Sequence, residues 1–441
     1  MRSPRLIPAL LAPACLLAVL VHAASASAAD AGLRDRAFAT LWNEDAAAAI
    51  PLFREYLATN AGDREAGRGL ALACSWDGRQ GEAARLYRAL LAADAADGEA
   101  LVGLGRALLW DNRLGEGWTA LRDAEASGSE ATARAAGDVM LVALDEYPAP
   151  LGVTAGTTWD SDDLTVTRLG ATGTFTVGGN RLLQVLPSHA WYGQPGQPDA
   201  RALRLGAGLV TGLGPRWALH AYGWLDRFAT DAPLPATAAP LDWDVAGGDA
   251  WLTWLPAPRW RLDLGAASQP VETYLALGQH LERRQASLSL EHRLSRRWSA
   301  GLVGIAGAYT DENRSDRLTA RVTWRRDGRM LWQAGPVLNL LDFRVPYPGA
   351  YWAPDRMRSL GLEASVRGRG RRLAWRLAGS LASEKETGAR ALSVGGVSGR
   401  LGWRLSRDWL VGLEAGHAAS SLSSASGYRR STLSVDVRAY F

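Results

Sequence analysis

Arginines with strand-like spacing are the residues of this chain best suited to bind a ligand. Arg317, Arg321 and Arg325 occupy odd positions in a segment whose even positions, 318–324, are all apolar. A period of two places the three arginines on one face of a β-strand. Guanidinium groups bind carboxylates and phosphates through paired hydrogen bonds. This face is predicted either to line a path for cargo or to form ion pairs with neighbouring strands, and the sequence favours neither alternative.

Motifs for catalysis or metal binding do not occur in the sequence. It contains no H-E-x-x-H, no G-x-S-x-G and no Cys/His cluster with zinc spacing. The histidines beyond residue 30 are scattered: His189, His220, His280, His292 and His417. We expect no enzyme, no metal and no cofactor, although a Ser–His pair assembled across strands would leave no spacing signal.

The final segment, residues 427–441, has the pattern of a membrane-barrel strand. Apolar residues at odd positions, including Leu433, Val435 and Phe441, alternate with mostly polar residues at even positions. A last strand that ends in phenylalanine resembles the closing strand of bacterial outer-membrane β-barrels. That resemblance implies recognition by the barrel-assembly machinery through the strand ending at Phe441.

Sixteen strand-like segments are predicted between residues 151 and 441. Even-to-odd junctions are short, as at 178–180 and 327–328, whereas odd-to-even junctions such as Thr230–Pro240 and Pro346–Asp355 are longer and richer in proline. An even number of strands with alternating short and long connections is the pattern of antiparallel transmembrane β-barrels. A barrel of about 16 strands encloses an aqueous channel.

Charged residues on one face of these strands are predicted to line the lumen. Slipping a strand by one residue would turn its arginines toward lipid, at a cost of roughly 2–4 kcal/mol for each one near the midplane. The predicted inward-facing set is Arg261, Asp263, Arg317, Arg321, Arg325, Glu363, Arg367, Arg376, Arg400, Arg404, Glu414, Asp436 and Arg438. A lumen this polar is expected to be filled with water or plugged.

Tryptophans recur within a few residues of the short turns. If the segments form a barrel, these rings lie at one height near its periplasmic rim, which is typical of the aromatic girdle at a membrane interface. The predicted girdle residues are Trp217, Trp260, Trp298, Trp324, Trp332, Trp403 and Trp409.

Other aromatic residues are candidates for stacking against sugar rings. The face assignment turns Tyr222 and Trp224 of the fifth strand toward the lumen, whereas Tyr309, Tyr351 and Trp352 fall toward the extracellular end. The alternative is that these rings form an outer girdle or only pack within loops.

The N-terminal segment, residues 1–29, reads as a secretory signal peptide. Arg2 and Arg5 precede an apolar run that ends in small residues with A-x-A spacing. Cys15 lies inside that run and is a weak candidate for lipidation. Removal of the leader would leave Cys74 as the only cysteine, so no intramolecular disulfide is expected and the thiol is predicted to be buried between helices.

Residues 30–146 carry a repeat of 34 residues. Trp42, Trp76 and Trp110 are 34 positions apart, and Gly69-Leu70 recurs at 103–104. Thirty-four residues is the period of the tetratricopeptide (TPR) repeat, a pair of helices. We predict a TPR-like helical domain with the three tryptophans in its core and a capping helix from residue 130, followed by a linker at 147–150 and a barrel at 151–441.

Charge differs between the two predicted domains. Residues 30–149 contain 12 basic and 20 acidic residues, a net charge of −8, whereas residues 150–441 carry +10. The acidic excess is expected on a surface that docks a protein partner, since TPR stacks present such surfaces. The basic excess favours either an anionic polymer in the lumen or anionic lipopolysaccharide at the rim. An exported protein would not meet nucleic acid.

Two short motifs connect this organisation to known exporters. Gly349, Tyr351 and Pro354 match a G-x-Y-x-x-P loop of the cellulose synthase operon C subunit, whose C-terminal barrel the chain resembles. Residues 109–113 are similar to the L-x-W-x-G-R repeat of YaiO-type outer-membrane proteins, which are closer to this chain in size. The exporters usually carry many more repeats than the three seen in this sequence.

The resemblance implies an outer-membrane channel of a Gram-negative bacterium that assists export of an exopolysaccharide. Its TPR repeats would lie in the periplasm and dock a partner protein, and its barrel would contact outer-membrane lipid and lipopolysaccharide. Two alternatives stay open: a non-transporting barrel that anchors a TPR docking scaffold, and a general diffusion porin or phage receptor.

Overall fold

The computed structural model describes residues 32–127, 129–146, 148–234, 237–257, 259–328, 330–419 and 429–440. They belong to two compact units, Met1–Ala107 and Leu108–Phe441. The predicted leader with Cys15, and Phe441, lie outside the described residues.

Seven helices precede the first strand in the described part of the chain. They are α1 (32–42), α2 (Ala46–Thr59), α3 (Arg64–Trp76), α4 (Gln80–Ala93), α5 (Gly98–Trp110), α6 (Leu114–Ala126) and α7 (Glu130–Glu146). None of the described helices is long and apolar enough to cross a membrane.

Packing in the first unit repeats every 34 residues. A Cβ atom placed on Gly69 would come within 2.7 Å of the Phe53 ring, and one placed on Gly103 would come within 2.4 Å of the Tyr87 ring. Each glycine therefore leaves the space that the aromatic ring sixteen residues earlier occupies. Identical contacts one period apart support a helical repeat, and its assignment to the TPR class remains a prediction.

Ion pairs in this unit follow the same period. Asp63 caps α3 and pairs with Arg34 at 3.0 Å, and Asp97 accepts a hydrogen bond from the Ala100 N–H and pairs with Arg68 at 2.9 Å. Burial works against the charged form of both carboxyls, but the N–H donors and arginines hold the pKa of each below its usual range. Both aspartates therefore remain ionised while they cap their helices.

The repeated tryptophans do not pack in the core as expected. Trp42, Trp76 and Trp110 are 54%, 42% and 40% exposed. Each is the last residue of its helix, so its ring extends past the packed interior, which the glycine–aromatic contacts fill. Cys74 is buried, and burial raises the pKa of its thiol to about 11.

The division between the compact units falls inside α5. Helices α6 and α7 therefore belong to the same unit as the strands that follow, and the predicted linker at 147–150 lies within that unit.

The second unit contains a closed antiparallel barrel, which confirms the predicted barrel of sixteen strands. Strand β1 pairs with both β2 and β16, and every other strand pairs with its neighbours in sequence. The strands are β1 (Leu151–Asp160), β2 (Thr165–Thr176), β3 (Arg181–Gly193), β4 (Ala200–Gly212), β5 (Trp217–Pro233), β6 (Pro240–Trp254), β7 (Trp260–Pro270), β8 (Glu282–Arg293), β9 (Trp298–Tyr309), β10 (Arg314–Arg326), β11 (Met330–Phe343), β12 (Met357–Arg369), β13 (Leu373–Lys385), β14 (Leu392–Arg404), β15 (Trp409–Ala419) and β16 (Arg429–Ala439).

The two ends of the barrel differ in their connections. Short turns join even strands to odd strands at one end, which we call the short-turn end. The opposite end, called the long-loop end, carries the connections 271–281 and 344–356, and the first of these contains helix α8 (Tyr274–Gly278). Connections 161–164 and 310–313 at the long-loop end have only four residues each, so the expected difference in length does not hold for every pair of strands.

Apolar side chains cover the outer face of the barrel. Leu205, Leu362 and Leu381 are each about two thirds exposed, at 64%, 64% and 66%. In the middle of the strands, charged side chains such as Arg321, Arg376 and Asp263 occupy the alternate positions that point inward. An apolar exterior around a polar interior is the reverse of a water-soluble sheet protein and is characteristic of barrels that span a membrane.

The glycine–aromatic packing of the first unit gives a testable prediction. We expect Gly103→Ala to destabilise the helical unit by about 1–3 kcal/mol, because its methyl group would overlap the buried Tyr87 ring. In an unconstrained helix the same change stabilises by about 1 kcal/mol. Urea unfolding followed by circular dichroism at 222 nm reports on the helices.

The matched control is Gly67→Ala in α3. Its methyl group would meet only the end of the flexible Leu90 side chain, at 3.2 Å. Equal stabilisation by both substitutions would contradict the packing described for Gly103.

Candidate functional site: the barrel lumen

The strand register places every predicted lumen residue on the inner face. Arg367, Arg376, Arg400 and Glu414 lie opposite one another across four adjacent strands, so all four share one face. Continuing the pairing around the sheet puts the remaining members on that same face. These members are Arg261, Asp263, Arg317, Arg321, Arg325, Glu363, Arg404, Asp436 and Arg438.

Several of these charges form ion pairs along the wall. Arg261 contacts Asp263 at 2.9 Å on β7, and Arg438 contacts Asp436 at 2.9 Å on β16. Arg400 reaches both Glu414 at 3.3 Å and Asp436 at 3.6 Å. For these residues the structure therefore matches the alternative in which charged side chains of the wall form ion pairs with one another.

Other arginines lack such partners. Arg321, Arg367 and Arg376 have no hydrogen bond or ion pair to any residue that the structure describes. Arg321 and Arg376 line a cavity of about 680 Å³ together with Glu363. Their guanidinium groups are therefore available to a ligand in the lumen, as expected if this face lines a path for cargo.

A set of aromatic side chains lies on the inner wall at β5 and β6. The His220 and Trp251 rings stack with their centroids 4.6 Å apart, and the Tyr222 hydroxyl donates to Gln184 at 2.8 Å. The Arg204 guanidinium lies 4.5 Å from the centre of the Trp224 ring. Arg204 also contacts Asp226 at 2.6 Å, and Asp226 is 1% exposed. Tyr222 therefore faces the lumen, whereas Arg204 covers one face of Trp224.

The three predicted aromatic residues near the long-loop end pack against one another and their neighbours. The Tyr309 and Tyr351 rings stack at 4.6 Å, and Tyr351 donates to Asp311 at 2.9 Å and accepts from Asn313. Trp352 packs on the same cluster. Burial, and then Asp311, raise the pKa of the Tyr351 hydroxyl, so it remains a donor. The contacts of Tyr309, Tyr351 and Trp352 therefore match the alternative in which these rings pack within loops.

The girdle tryptophans all lie on the outer face near the short-turn end. Trp217 stacks on Trp254 at 5.2 Å, and Trp260 stacks on His292 at 3.9 Å. The strand register puts the other predicted members on the outer face as well: Trp298, Trp324, Trp332, Trp403 and Trp409.

Helices α6 and α7 pack against the short-turn end as a hairpin. The Trp118 ring stacks on Tyr440 with a centroid distance of 4.1 Å, and its Nε1 donates to the Arg407 carbonyl at 3.1 Å. Arg122 pairs with Asp408 at 3.0 Å. These contacts attach α6 to the ends of β15 and β16.

A buried ion pair continues this attachment. Arg404, the last residue of β14, has an 8% exposed side chain that pairs with Glu125 of α6 and donates to the sulfur of Met140 in α7. On the far side, Asn112, just before α6, donates to the Asn180 carbonyl at 2.9 Å. The hairpin thus extends from the β2–β3 turn to β14 and covers part of the short-turn mouth.

The long-loop end is covered in a different way. Helix α8 inserts Tyr274 and Leu277 among inner-wall residues such as Phe228 and Trp243, and the Tyr274 hydroxyl donates to the Tyr192 carbonyl at 2.8 Å. This contact set is almost entirely apolar.

Two polar contacts tie this loop to other parts of the wall. Glu272 pairs with Arg168 of β2 at 2.8 Å, and Thr273 donates to the Ala350 carbonyl at 2.5 Å. Connections 271–281 and 344–356 therefore meet and form a bridge across the long-loop mouth.

The residues that make both closures were missed from the sequence. The predicted repeat domain, residues 30–146, contains Trp118, Arg122 and Glu125 without giving them a contact with the barrel, and Tyr274 belongs to no predicted site. One signal was present: an apolar run, Tyr274-Leu275-Ala276-Leu277, is unusual in a connection expected to be exposed. No group of His, Cys, Asp or Glu able to hold a metal ion occurs among the described residues.

Comparisons with known proteins identify the fold of the barrel. No protein-family model and no curated protein matches the sequence. The structure is similar to a solved bacterial polysaccharide outer membrane secretin, with 8% identity, a TM-score of 0.52, and alignment over 66% of this chain and 98% of that one.

Other solved structures are more distant. They include CdiB from Acinetobacter baumannii (9% identity, 66% of this chain and 60% of that one, TM-score 0.39) and OccK11 from Pseudomonas aeruginosa (13%, 66% and 96%, TM-score 0.36). The likeness to the secretin shows that this chain and that outer-membrane protein share a barrel fold.

The buried Arg404–Glu125 pair is expected to slow local opening of the α6–α7 hairpin. Glu125→Gln leaves the Arg404 charge without its counter-charge, which costs about 1–3 kcal/mol. We expect backbone amides of residues 114–142 to exchange roughly 5–150 times faster in hydrogen-exchange measurements on the refolded protein.

Glu130→Gln on α7 is the control. Its partner Arg134 and Glu130 itself are 66% and 79% exposed, so loss of this pair should leave the exchange rates unchanged. Wild-type exchange in Glu125→Gln would show that the pair does not hold the hairpin.

The bridge at the long-loop end predicts coupling between its two connections. Tyr274→Ala removes a 5% exposed ring from its cluster, a truncation that costs about 3–5 kcal/mol for large aromatic residues. Exchange should rise in 271–281 and also in 344–356, because the Thr273–Ala350 hydrogen bond joins them.

Gln279→Ala changes an exposed residue of the same loop and should alter neither segment. A rise confined to 271–281 in Tyr274→Ala would show that the two connections move independently.

Proposed function

We propose that this protein is an outer-membrane channel that assists export of an exopolysaccharide. The observation that carries the proposal is a closed sixteen-stranded barrel with a polar inner wall whose two mouths are each partly covered by segments of its own chain. A barrel that is partly covered at both ends fits a conduit opened for cargo better than a permanently open diffusion porin. The matching secretin structure supports the same class of function.

The inner wall carries both aromatic rings and arginines that could contact a sugar chain in the lumen. Inner-wall aromatic rings, Tyr222 and Trp251 among them, present apolar faces to the C–H faces of sugars, and partnerless arginines present donors to hydroxyl and acidic groups. Weak contacts of both kinds let a polymer slide without being held tightly.

Orientation follows from general barrel construction. Short turns of outer-membrane barrels face the periplasm, and this supports a periplasmic location for α6, α7 and the preceding helical repeats. The repeats would dock a periplasmic partner through their acidic surface. The outer face would contact lipid and lipopolysaccharide, and the barrel-assembly machinery would recognise the C-terminal strand.

A reversible lock across the long-loop mouth tests transport. In the variant Thr273→Cys/Ala350→Cys, oxidation should join the two connections, because the 2.5 Å hydrogen bond from the Thr273 hydroxyl to the Ala350 carbonyl oxygen keeps the two Cα atoms within about 7 Å, the reach of a disulfide. We expect polysaccharide in the medium to fall and periplasmic polysaccharide to rise in oxidised cells, with recovery on adding a reductant. Mass spectrometry measures the fraction that is cross-linked.

Thr273→Cys alone is the control, since the one native cysteine in the described chain, Cys74, is buried. Undiminished export from fully cross-linked protein would reject the conduit. That result would favour the second candidate, a non-transporting barrel that anchors a docking scaffold. The partly covered mouths are also consistent with this candidate.

A further inference from the structure

Three arginines stand side by side on the inner wall. Arg367 on β12 is directly opposite Arg376 on β13, and Arg376 is directly opposite Arg400 on β14. Like charges in opposed positions on neighbouring strands destabilise a sheet. Arg400 is compensated by Glu414 and Asp436, whereas Arg367 and Arg376 have no carboxylate partner among the described residues.

A cavity of about 200 Å³ lies between these arginines and helix α7. Leu141 and Val142 form its helical side, and Arg325 and Arg369 add to the three arginines of the wall. Among the described lining residues the one carboxylate, Asp327, is engaged by Arg325 at 2.8 Å. The described lining is thus strongly positive, and several of its donors are unused.

The opposite wall has a different character. Strand β5 is eight strands from β13 in a barrel of sixteen, so the two walls face each other. His220 is three residues from the short-turn end of β5, as Arg376 is from that end of β13. The stacked His220 and Trp251 rings therefore lie roughly across the lumen from the arginines.

We propose that this arginine pocket binds the carboxylate groups of an acidic polysaccharide that enters at the short-turn end. Paired guanidinium N–H donors match a carboxylate in geometry and charge, and a bound carboxylate would relieve the repulsion between Arg367 and Arg376. The neutral face of the same sugar chain would pass along the aromatic wall. This inference rests on the proposed function and specifies its cargo as a polymer that contains uronic acids.

Binding of two defined oligosaccharides to the full-length refolded protein tests the proposal. Isothermal titration with a hexamer of galacturonic acid should show binding that weakens as salt is raised. Cellohexaose, which is uncharged, should bind at least tenfold more weakly. Arg367→Gln/Arg376→Gln should lower the affinity for the acidic hexamer by about tenfold or more and leave that for cellohexaose unchanged.

The control variant is Arg261→Gln/Arg283→Gln, which removes two inward positive charges outside the pocket. It should change the affinity for the acidic hexamer less than threefold. An equal loss in both variants would show that net charge alone attracts the acidic chain, and would overturn the site.

Equal binding of the two hexamers, or binding of neither, would overturn the acidic class of cargo. These results are separate from those of the lock experiment, since export could still stop on cross-linking. Conversely, selective binding of the acidic hexamer with undiminished export from locked protein would uphold the pocket and reject the conduit.

Discussion

Closure of the sheet between β1 and β16 is the constraint on which the rest of the structure depends. Because the pairing is continuous around sixteen strands, the direction of each side chain is fixed by both neighbouring strands. A slip of one residue in β10 would turn Arg317, Arg321 and Arg325 outward at once, at roughly 2–4 kcal/mol for each one near a membrane midplane. The same slip would move outward apolar residues such as Leu318 into the polar lumen. Closure therefore makes the alternation a collective property of the barrel.

A second constraint acts at the two mouths of the polar lumen, since each mouth is partly covered by a segment of the same chain. The contacts that hold these segments differ in chemistry between the two ends. At the short-turn end, stacking of Trp118 on Tyr440 and the buried Arg404–Glu125 pair are directional contacts that fail if one partner shifts. At the long-loop end, α8 sits in a cluster of apolar side chains, whose attraction depends on buried area and little on direction.

The sequence was sufficient for the barrel and insufficient for its closures. Period-two alternation is a local signal, and Arg321 or Trp332 could be given a face from a few neighbours. The pairing of Arg404 with Glu125 joins residues 279 positions apart, and no periodicity encodes a contact of that kind. The 34-residue period was visible in both Trp76 and Gly69, but only the structure shows that the glycine accommodates a packed ring while the tryptophan is exposed.

The position of α5 gives the two closures different roles in the proposed export. This helix begins in the first compact unit and ends in the second, three residues before α6 starts. The proposed partner of the repeats would therefore be connected through continuous chain to the hairpin at the short-turn end, which is held by directional contacts. The contacts at the other end are mainly apolar and depend little on direction. Control would then reside at the short-turn end, where the arginine pocket beneath α7 is the first part of the lumen that the cargo meets.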